Sequence, residues 1–215
     1  MTVVGIVPAA GRGERLGEGV PKALVVCAGR PLLEWSLEVL ERVCDRVVVA
    51  VPPGYGDAAP DRVTGGDSRS ESVRNALAAA PEATIAVVHD AARPFVTPEL
   101  VHDCVAAVRH EGFDGAVAAA RVTDTVKEAG DDMRVERTLD RSRLWAIQTP
   151  QVFDAGVLRR ALDAPAETLA AATDDASLVE AAGGSVRIVE APPENVKVTT
   201  PLDLERAERL LAARC

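Results

Sequence analysis

The chain has 215 residues, with 33 Asp and Glu against 24 Lys and Arg, so its formal charge is 24 − 33 = −9 with the histidines neutral. A protein that neutralises many backbone phosphates presents a surplus of basic side chains, so this balance excludes a general nucleic-acid binder, and any anionic ligand must meet a locally inverted field. An apolar fraction of 47% with only 3% aromatics suits one domain whose Ala, Val and Leu core packs helices on β-branched strands.

Strand-like and helix-like segments alternate from the first residue, the sequence form of an α/β protein with a largely parallel sheet. Val3 to Val7 is a continuous apolar run closed by Pro8. Residues 31–43 set Leu33, Leu37, Leu40 and Val43 on one helical face, with Pro31 near the start, where its missing N–H costs little. Arg46 to Val51 reads as a buried strand stopped by Pro52 and Pro53. A polar start at Ser68 followed by Val73, Leu77 and Ala80 predicts a second helix, and residues 84–90 predict the next strand. Thr97-Pro98-Glu99 caps a helix running to about Arg109, and residues 114–120 form a further strand. This half reads as doubly wound.

Residues 121–141 carry eleven charges and alternate with period 2 on both sides of Gly130-Asp131-Asp132, which predicts an extended hairpin. Polar residues on both faces give it little core of its own, so it either projects into solvent or lies against a partner. Strand and helix return at residues 185–190 and 195–199. Alternation in the second of these places Asn195, Lys197 and Thr199 on one face and Val196 and Val198 on the other. A terminal helix opens at Thr200-Pro201 with Asp203 in capping-box position. No linker or repeat divides the chain, so a single domain over 1–215 is expected. Cys27, Cys44, Cys104 and Cys215 show no metal-ligand spacing and read as reduced thiols, mostly small buried hydrophobes. No signal peptide opens the chain and no apolar run approaches the ~18 residues that span a bilayer, so a cytoplasmic protein is expected.

The chemistry gathers where strands end. Residues 8–22 leave the first strand through Gly11, Gly13, Gly17 and Gly19, interleaved with Arg12, Arg15 and Lys22. Such a loop brings backbone N–H groups close to a phosphate while the cations neutralise it. An ordinary glycine-rich turn would explain the glycines alone, but not Arg15 and Lys22. A Walker A loop is excluded, since no Gly-Lys-Ser/Thr occurs. Ligands of open α/β sheets bind at the carboxyl ends of the strands, so Asp90 and Arg93 should face the same cleft. Asp90 suits Mg²⁺, which takes one or two carboxylates and fills its other positions with water and substrate phosphate; it equally suits a turn, and His89 a satisfied strand-end histidine. Gly65, Gly66, Asp67 and Ser72 at a helix entry serve either capping or base recognition.

Seven ordered blocks, PAAGRGERLGEGVPK (8–22), GGDSRSESV (65–73), VHDAARP (88–94), TDTVK (123–127), DRSRLWAIQTPQVF (140–153), TDDASLVE (173–180) and ENVKVTTPLDL (194–204), closely resemble the 2-C-methyl-D-erythritol 4-phosphate cytidylyltransferases of the non-mevalonate isoprenoid pathway. The resemblance implies a Rossmann-like, doubly wound, mostly parallel sheet of the nucleotide-diphospho-sugar transferase type with a protruding β-arm over 121–142. It implies transfer of CMP from CTP to methylerythritol phosphate with Mg²⁺ as cofactor. By the same resemblance, Arg15, Lys22, Arg141 and Lys197 form the catalytic set. Ala9, Ala10, Gly11, Gly13, Gly66, Asp67, Ser72, Asp90 and Arg93 surround the nucleotide, with Asp90 at the metal. Thr149, Thr173 and Lys197 hold the acceptor, while Thr125 and Arg141 lie on the arm and reach the partner's site in a homodimer. Ala23 and Val25-Val26-Cys27 depart from the usual pattern without touching the matched cations. The chain stops at Cys215, so no fused second enzyme is expected.

This chemistry needs no general base, because the attacking phosphate has a second pKa of about 6 and is largely ionised at neutral pH. A ribitol phosphate cytidylyltransferase shares the loop, Lys22 and Thr149-Pro150-Gln151, but HDAARP and Leu144-Trp145 fit it less well. A short-chain NAD(P) oxidoreductase lacks its Tyr-x-x-x-Lys, since the only tyrosine is Tyr55 and Ala59 stands four residues on. A simple nucleotide-binding module leaves Asp90, Arg141 and Lys197 unexplained. On the favoured reading Arg15, Lys22, Arg93, Arg141 and Lys197 converge on one cleft, giving it the sign opposite to that of the whole chain.

Overall fold

A computed structural model of the chain describes residues 1–11, 20–55 and 61–213. Its elements are β1 (Val3–Pro8), a short antiparallel pair β2 (Val26–Cys27) and β3 (Arg30–Pro31), α1 (Leu32–Val43), β4 (Arg46–Val51), β5 (Arg62–Thr64), α2 (Arg69–Ala78), β6 (Ile85–Val88), α3 (Pro98–Glu111) and β7 (Gly115–Arg121). Then follow β8 (Lys127–Ala129), β9 (Val135–Thr138), β10 (Trp145–Asp154), α4 (Ala155–Leu162), α5 (Ala166–Ala171), α6 (Asp175–Ala181), β11 (Val186–Glu190) and α7 (Pro201–Ala212).

The first apolar run lies inside a seven-stranded sheet ordered β11-β7-β10-β6-β1-β4-β5. β1 is parallel to β4 and β6, β4 to β5, and β7 to β11. Both faces are covered, so these strands are near-continuously apolar rather than alternating with polar residues. Alternation instead divides their side chains between two cores. Val3 and Val7 join α1 and α3 on one face through Leu33, Leu40 and Val101. Val4 and Ile6 join α2, α4 and α6 on the other through Val73, Leu77, Leu158 and Val179. Cys44 and Cys104 fill gaps in the first core, where burial pushes their thiols up to about 12, so they are inert spacers.

β10 is the exception to the parallel pattern, running antiparallel to both β6 and β7. Its ladder with β7 shifts between Ile147 and Gln151, bracketing Pro150, which has no N–H to give to a ladder. The hairpin expected over 121–141 is present, but its ladder is confined to β8 and β9, which form a separate two-stranded sheet with β9 wholly exposed. Arg121 stacks 4.4 Å over Trp145 at its root.

Residues 195–199 correct the expectation of a strand. They form none: Asn195 and Val198 are buried while Val196 and Lys197 are exposed, a spacing of three rather than two. The segment crosses the sheet end instead of pairing in it. The Val198 N–H donates to the Ala92 carbonyl at 2.8 Å, the Asn195 amide donates to the Thr149 carbonyl at 2.9 Å, and Val198 packs with Ala207 and Leu211 of α7. The capping box expected at Thr200 and Asp203 forms on α7, and α2 carries one as well, Ser68 with Glu71.

Gly115 of β7 faces Phe153 of β10, and a Cβ at Gly115 would stand 2.6 Å from the Phe153 ring. Gly115→Ala is therefore expected to cost about 1–3 kcal/mol by overpacking. Urea denaturation of Gly115→Ala, Phe153→Leu and the double variant checks this, because the smaller side chain should recover part of the loss.

Candidate active site

β6 leaves the sheet at His89, whose N–H makes a last rung to the Ile6 carbonyl at 2.9 Å, and the chain turns at once, with the Arg93 N–H on the Asp90 carbonyl at 3.0 Å. A cavity of about 520 Å³ opens at this strand end, with Asp90, Arg93, Thr149, Thr173, Lys197 and Arg69 in its wall. Four of the acceptor-side and metal-side residues expected from the sequence thus meet in one place, with Arg93 beside them.

Asp90 is 8% exposed. One carboxylate oxygen accepts from Arg69 Nε at 3.1 Å and the other from Lys197 Nζ at 2.6 Å. Burial would raise the pKa of this carboxyl, but Arg69 and Lys197 outweigh burial and hold it well below the usual carboxylate range. Arg69, the first residue of α2, also donates to the wholly buried Asp175 of α6 at 2.6 Å. Burial raises Asp175, and Arg69 only partly opposes it. Arg93 donates to the Asn195 carbonyl at 2.9 Å, and burial lowers its pKa. Among the described residues, the buried side-chain atoms without a hydrogen-bond partner are Arg93 Nε, Asp175 Oδ1 and Asn195 Oδ1. All three belong to this one network.

Thr149 lies behind Asp90. Its Oγ1 is 3.0 Å from the Asp90 backbone nitrogen and 3.0 Å from Nδ1 of His89, whose Nε2 is 3.2 Å from the Arg93 carbonyl oxygen. His89 is the satisfied strand-end histidine expected, and burial pushes its pKa down to about 4. Gln151 ties β10 to α6, donating to Asp174 at 2.8 Å and accepting from the Ala176 N–H at 3.3 Å. Asp174 in turn caps α6 through the Ser177 N–H at 2.9 Å. This sets the exposed Thr173 in the cavity wall.

A second group sits at the ends of β1, β4 and β5. Ala9 N–H donates to the Ala50 carbonyl at 2.7 Å, and the Gly11 carbonyl accepts from the Lys22 N–H at 3.2 Å, so Lys22 returns to the base of the loop. Gly13 and Arg15 lie outside the described residues. A Cβ on Gly65 would stand 2.4 Å from Ala10, so glycine is needed there for the two loops to touch, and one on Gly66 would stand 2.3 Å from Glu71 Cβ in the first turn of α2. The Ser72 hydroxyl accepts from the Gly66 N–H at 3.1 Å and donates to the Ser68 carbonyl at 3.0 Å, shaping this loop, while Asp67 is exposed. Helix α2 spans both groups, with Ser72 at one and Arg69 at the other.

Of the five expected cations, two stand in this cavity. Arg93 and Lys197 line the cavity, Lys22 does not, and Arg15 is outside the described residues. Arg141 and Thr125 are exposed on the arm, with the Arg141 guanidinium donating to the Thr123 carbonyl. The cavity wall is mixed rather than uniformly basic, because Arg69, Arg93 and Lys197 are matched by Asp90, Asp174 and Glu180. Sequence reasoning also missed Arg69, Asp175, Gln151 and Asn195. Arg69 stood within the quoted GGDSRSESV block, but its partners are 21 and 106 residues away.

Residues 3–213 match the family of 2-C-methyl-D-erythritol 4-phosphate cytidylyltransferases. The chain belongs to that family. A relative of that name from Saccharopolyspora erythraea is 47% identical over 228 residues, covering 99% of this chain and 100% of the relative. Another from Rubrobacter xylanophilus is 45% identical over 224 residues, covering 98% and 95%. The crystal structure of the enzyme of that name from Thermus thermophilus superposes with a TM-score of 0.82 at 37% identity over 100% of both chains. The chain therefore shares the overall fold of that enzyme.

His89 gives this arrangement a pH signature. The unfolded chain binds a proton there below about 6.5, whereas the folded chain binds it only below about 4. Between these values the unfolded state holds more protons, so stability falls as pH drops through that window, by about 3 kcal/mol in total. Denaturant midpoints from pH 7 to 4 should show this slope in the wild type and lose it in His89→Asn.

Proposed function

We propose that the chain transfers CMP from CTP to 2-C-methyl-D-erythritol 4-phosphate, giving 4-diphosphocytidyl-2-C-methyl-D-erythritol and pyrophosphate. The family match across residues 3–213 carries this reading. In-line displacement at phosphorus asks for positioning and charge neutralisation rather than a covalent nucleophile. The acceptor phosphate attacks the α-phosphorus of CTP and needs no base, which agrees with a site whose histidine is buried behind Thr149.

Asp90 is the residue that would hold Mg²⁺. Each of its oxygens has a second lone pair beyond the bonds from Arg69 and Lys197, and one carboxylate suffices when water and phosphate complete the shell. No group of three or more His, Cys, Asp or Glu side chains able to hold a metal occurs among the described residues. Bound there, the ion would neutralise phosphate charge. In the chain itself, Lys197 and Arg93 meet phosphate at the cavity, and Thr149 and Thr173 orient the polyol. Ala9, Ala10, Gly11, Gly13, Gly66, Asp67 and Ser72 frame the nucleotide. A wall balanced in charge does not neutralise a triphosphate, so the excess positive charge comes from Arg15 and Lys22 on the loop and from Arg141 of a second subunit. The arm supports a homodimer, because a two-stranded hairpin is marginal alone and here exposes Met133 at 84% and Val135 at 54%. No helix among the described residues is long and apolar enough to cross a membrane, and a cytoplasmic enzyme fits this chemistry.

Purified protein with CTP and Mg²⁺ is expected to release pyrophosphate with methylerythritol phosphate well above the rate with ribitol 5-phosphate. Equal or faster turnover of ribitol 5-phosphate overturns the acceptor assignment. Sedimentation analysis is expected to show a dimer, and a fully active monomer would remove Thr125 and Arg141 from the partner's site.

A further inference from the structure

The hydrogen-bond directions around Thr149 are fixed by chemistry. Thr149 is 4% exposed and lines the cavity. The Asp90 backbone N–H, 3.0 Å away, can only donate, so it fills one lone pair of the Thr149 hydroxyl. The Arg93 carbonyl can only accept, so His89 Nε2, 3.2 Å from it, carries the hydrogen. A neutral imidazole then has a bare Nδ1, and the ring is wholly buried, where a charged imidazolium is disfavoured. Nδ1 lies 3.0 Å from Thr149 Oγ1, so the hydroxyl gives it its one hydrogen. A single lone pair is left for a ligand.

Resting on the acceptor reading above, we propose that His89 is a specificity-determining positioning residue: by taking the Thr149 hydrogen it makes that hydroxyl an acceptor only, so that Thr149 selects a polyol hydroxyl and rejects a phosphate oxygen. An ionised phosphate has no hydrogen to give and would set lone pair against lone pair. A polyol hydroxyl donates into the vacant position at no loss. The acceptor is thereby oriented, with its hydroxylated end at Thr149 and its phosphate turned toward Lys197 and Arg93 in the same wall. A threonine without the histidine would rotate its hydroxyl to suit either end.

Two measurements on the full-length protein test this. Nitrogen-15 spectra of the histidine side chains should show His89 protonated at Nε2 and bare at Nδ1 near neutral pH; an Nδ1–H tautomer or an imidazolium overturns the proposal without reference to any substrate. Steady-state kinetics with CTP should show the acceptor KM rising about tenfold in Thr149→Val, the loss of one neutral hydrogen bond. His89→Leu should raise it by the same factor, and both should change kcat and the KM for CTP far less. The double variant should be no worse than either single one, since His89 acts through Thr149, and His89→Asn, whose amide oxygen can accept the hydrogen, should recover most of the loss. Additive losses, or an unchanged acceptor KM in a folded His89→Leu, overturn the proposal. If His89→Leu does not fold, acceptors lacking one hydroxyl in turn decide it: one of them should lose about tenfold in KM with the wild type but nothing further with Thr149→Val. Equal losses in both proteins overturn it. Wild-type turnover of methylerythritol phosphate in the same assay separates failure of this role from failure of the proposed activity.

Discussion

The site depends on one buried ion pair shared three ways, with Arg69 bridging Asp90 and Asp175. Taking a carboxylate out of water costs several kcal/mol unless a well-placed cation answers it, and here two carboxylates at 11% and 0% side-chain exposure rely on the same guanidinium. The arrangement is not symmetrical. Asp90 has a second cation, Lys197, and is held ionised, whereas among the described residues Asp175 has only Arg69, keeps one oxygen without a partner, and is pushed up by burial. Arg69 can serve both because the capping box at Ser68 and Glu71 fixes the first turn of α2, which carries it. Helix α6, the end of β6 and the C-terminal crossing segment each contribute one charged partner to the network. Their mutual placement is thus set by electrostatics as much as by apolar packing.

The sheet supplies the rest of the geometry. A strand inserted antiparallel between β6 and β7 brings its break beside the end of β6, and so places Thr149 against the Asp90 backbone. Had β10 continued its ladder through Pro150, Thr149 would have been one more core residue. The break turns it to the cavity, while Gln151 just beyond it fastens the strand to α6. Polar residues at the break thus connect helix α6 and the end of β6 to one strand.

Much of this fold is legible in the sequence, since apolar runs such as Arg46–Val51 and caps such as Thr97 and Thr200 are local signals read correctly. What was lost was non-local. Arg69 and Asp175 are ordinary polar residues at helix starts until the chain brings them together across 106 positions, and no spacing encodes that. Residues 195–199 misled for the opposite reason. Their alternation imitates a strand, but burial follows the contacts of Asn195 with Thr149 and of Val198 with α7, not a pleat. The family blocks named Asp90, Thr149 and Lys197, which the fold brings to one cavity, without revealing that they are joined by hydrogen bonds.

The acidic total of −9 first suggested a basic cleft within an acidic exterior, and the balanced wall changes that picture. Charge in the cavity wall is balanced before any ligand arrives, so an anion there meets Lys197 already paired with Asp90. Of the two cations on Asp90, Arg69 is fixed by two carboxylates, whereas Lys197 pairs, among the described residues, with Asp90 alone on a flexible stem and is 40% exposed. On the proposed function, a phosphate entering the cavity competes for Lys197 and leaves Arg69 in place. In taking Lys197 it would free a further lone pair on Asp90, so that accepting the anion strengthens the same carboxylate's hold on a cation.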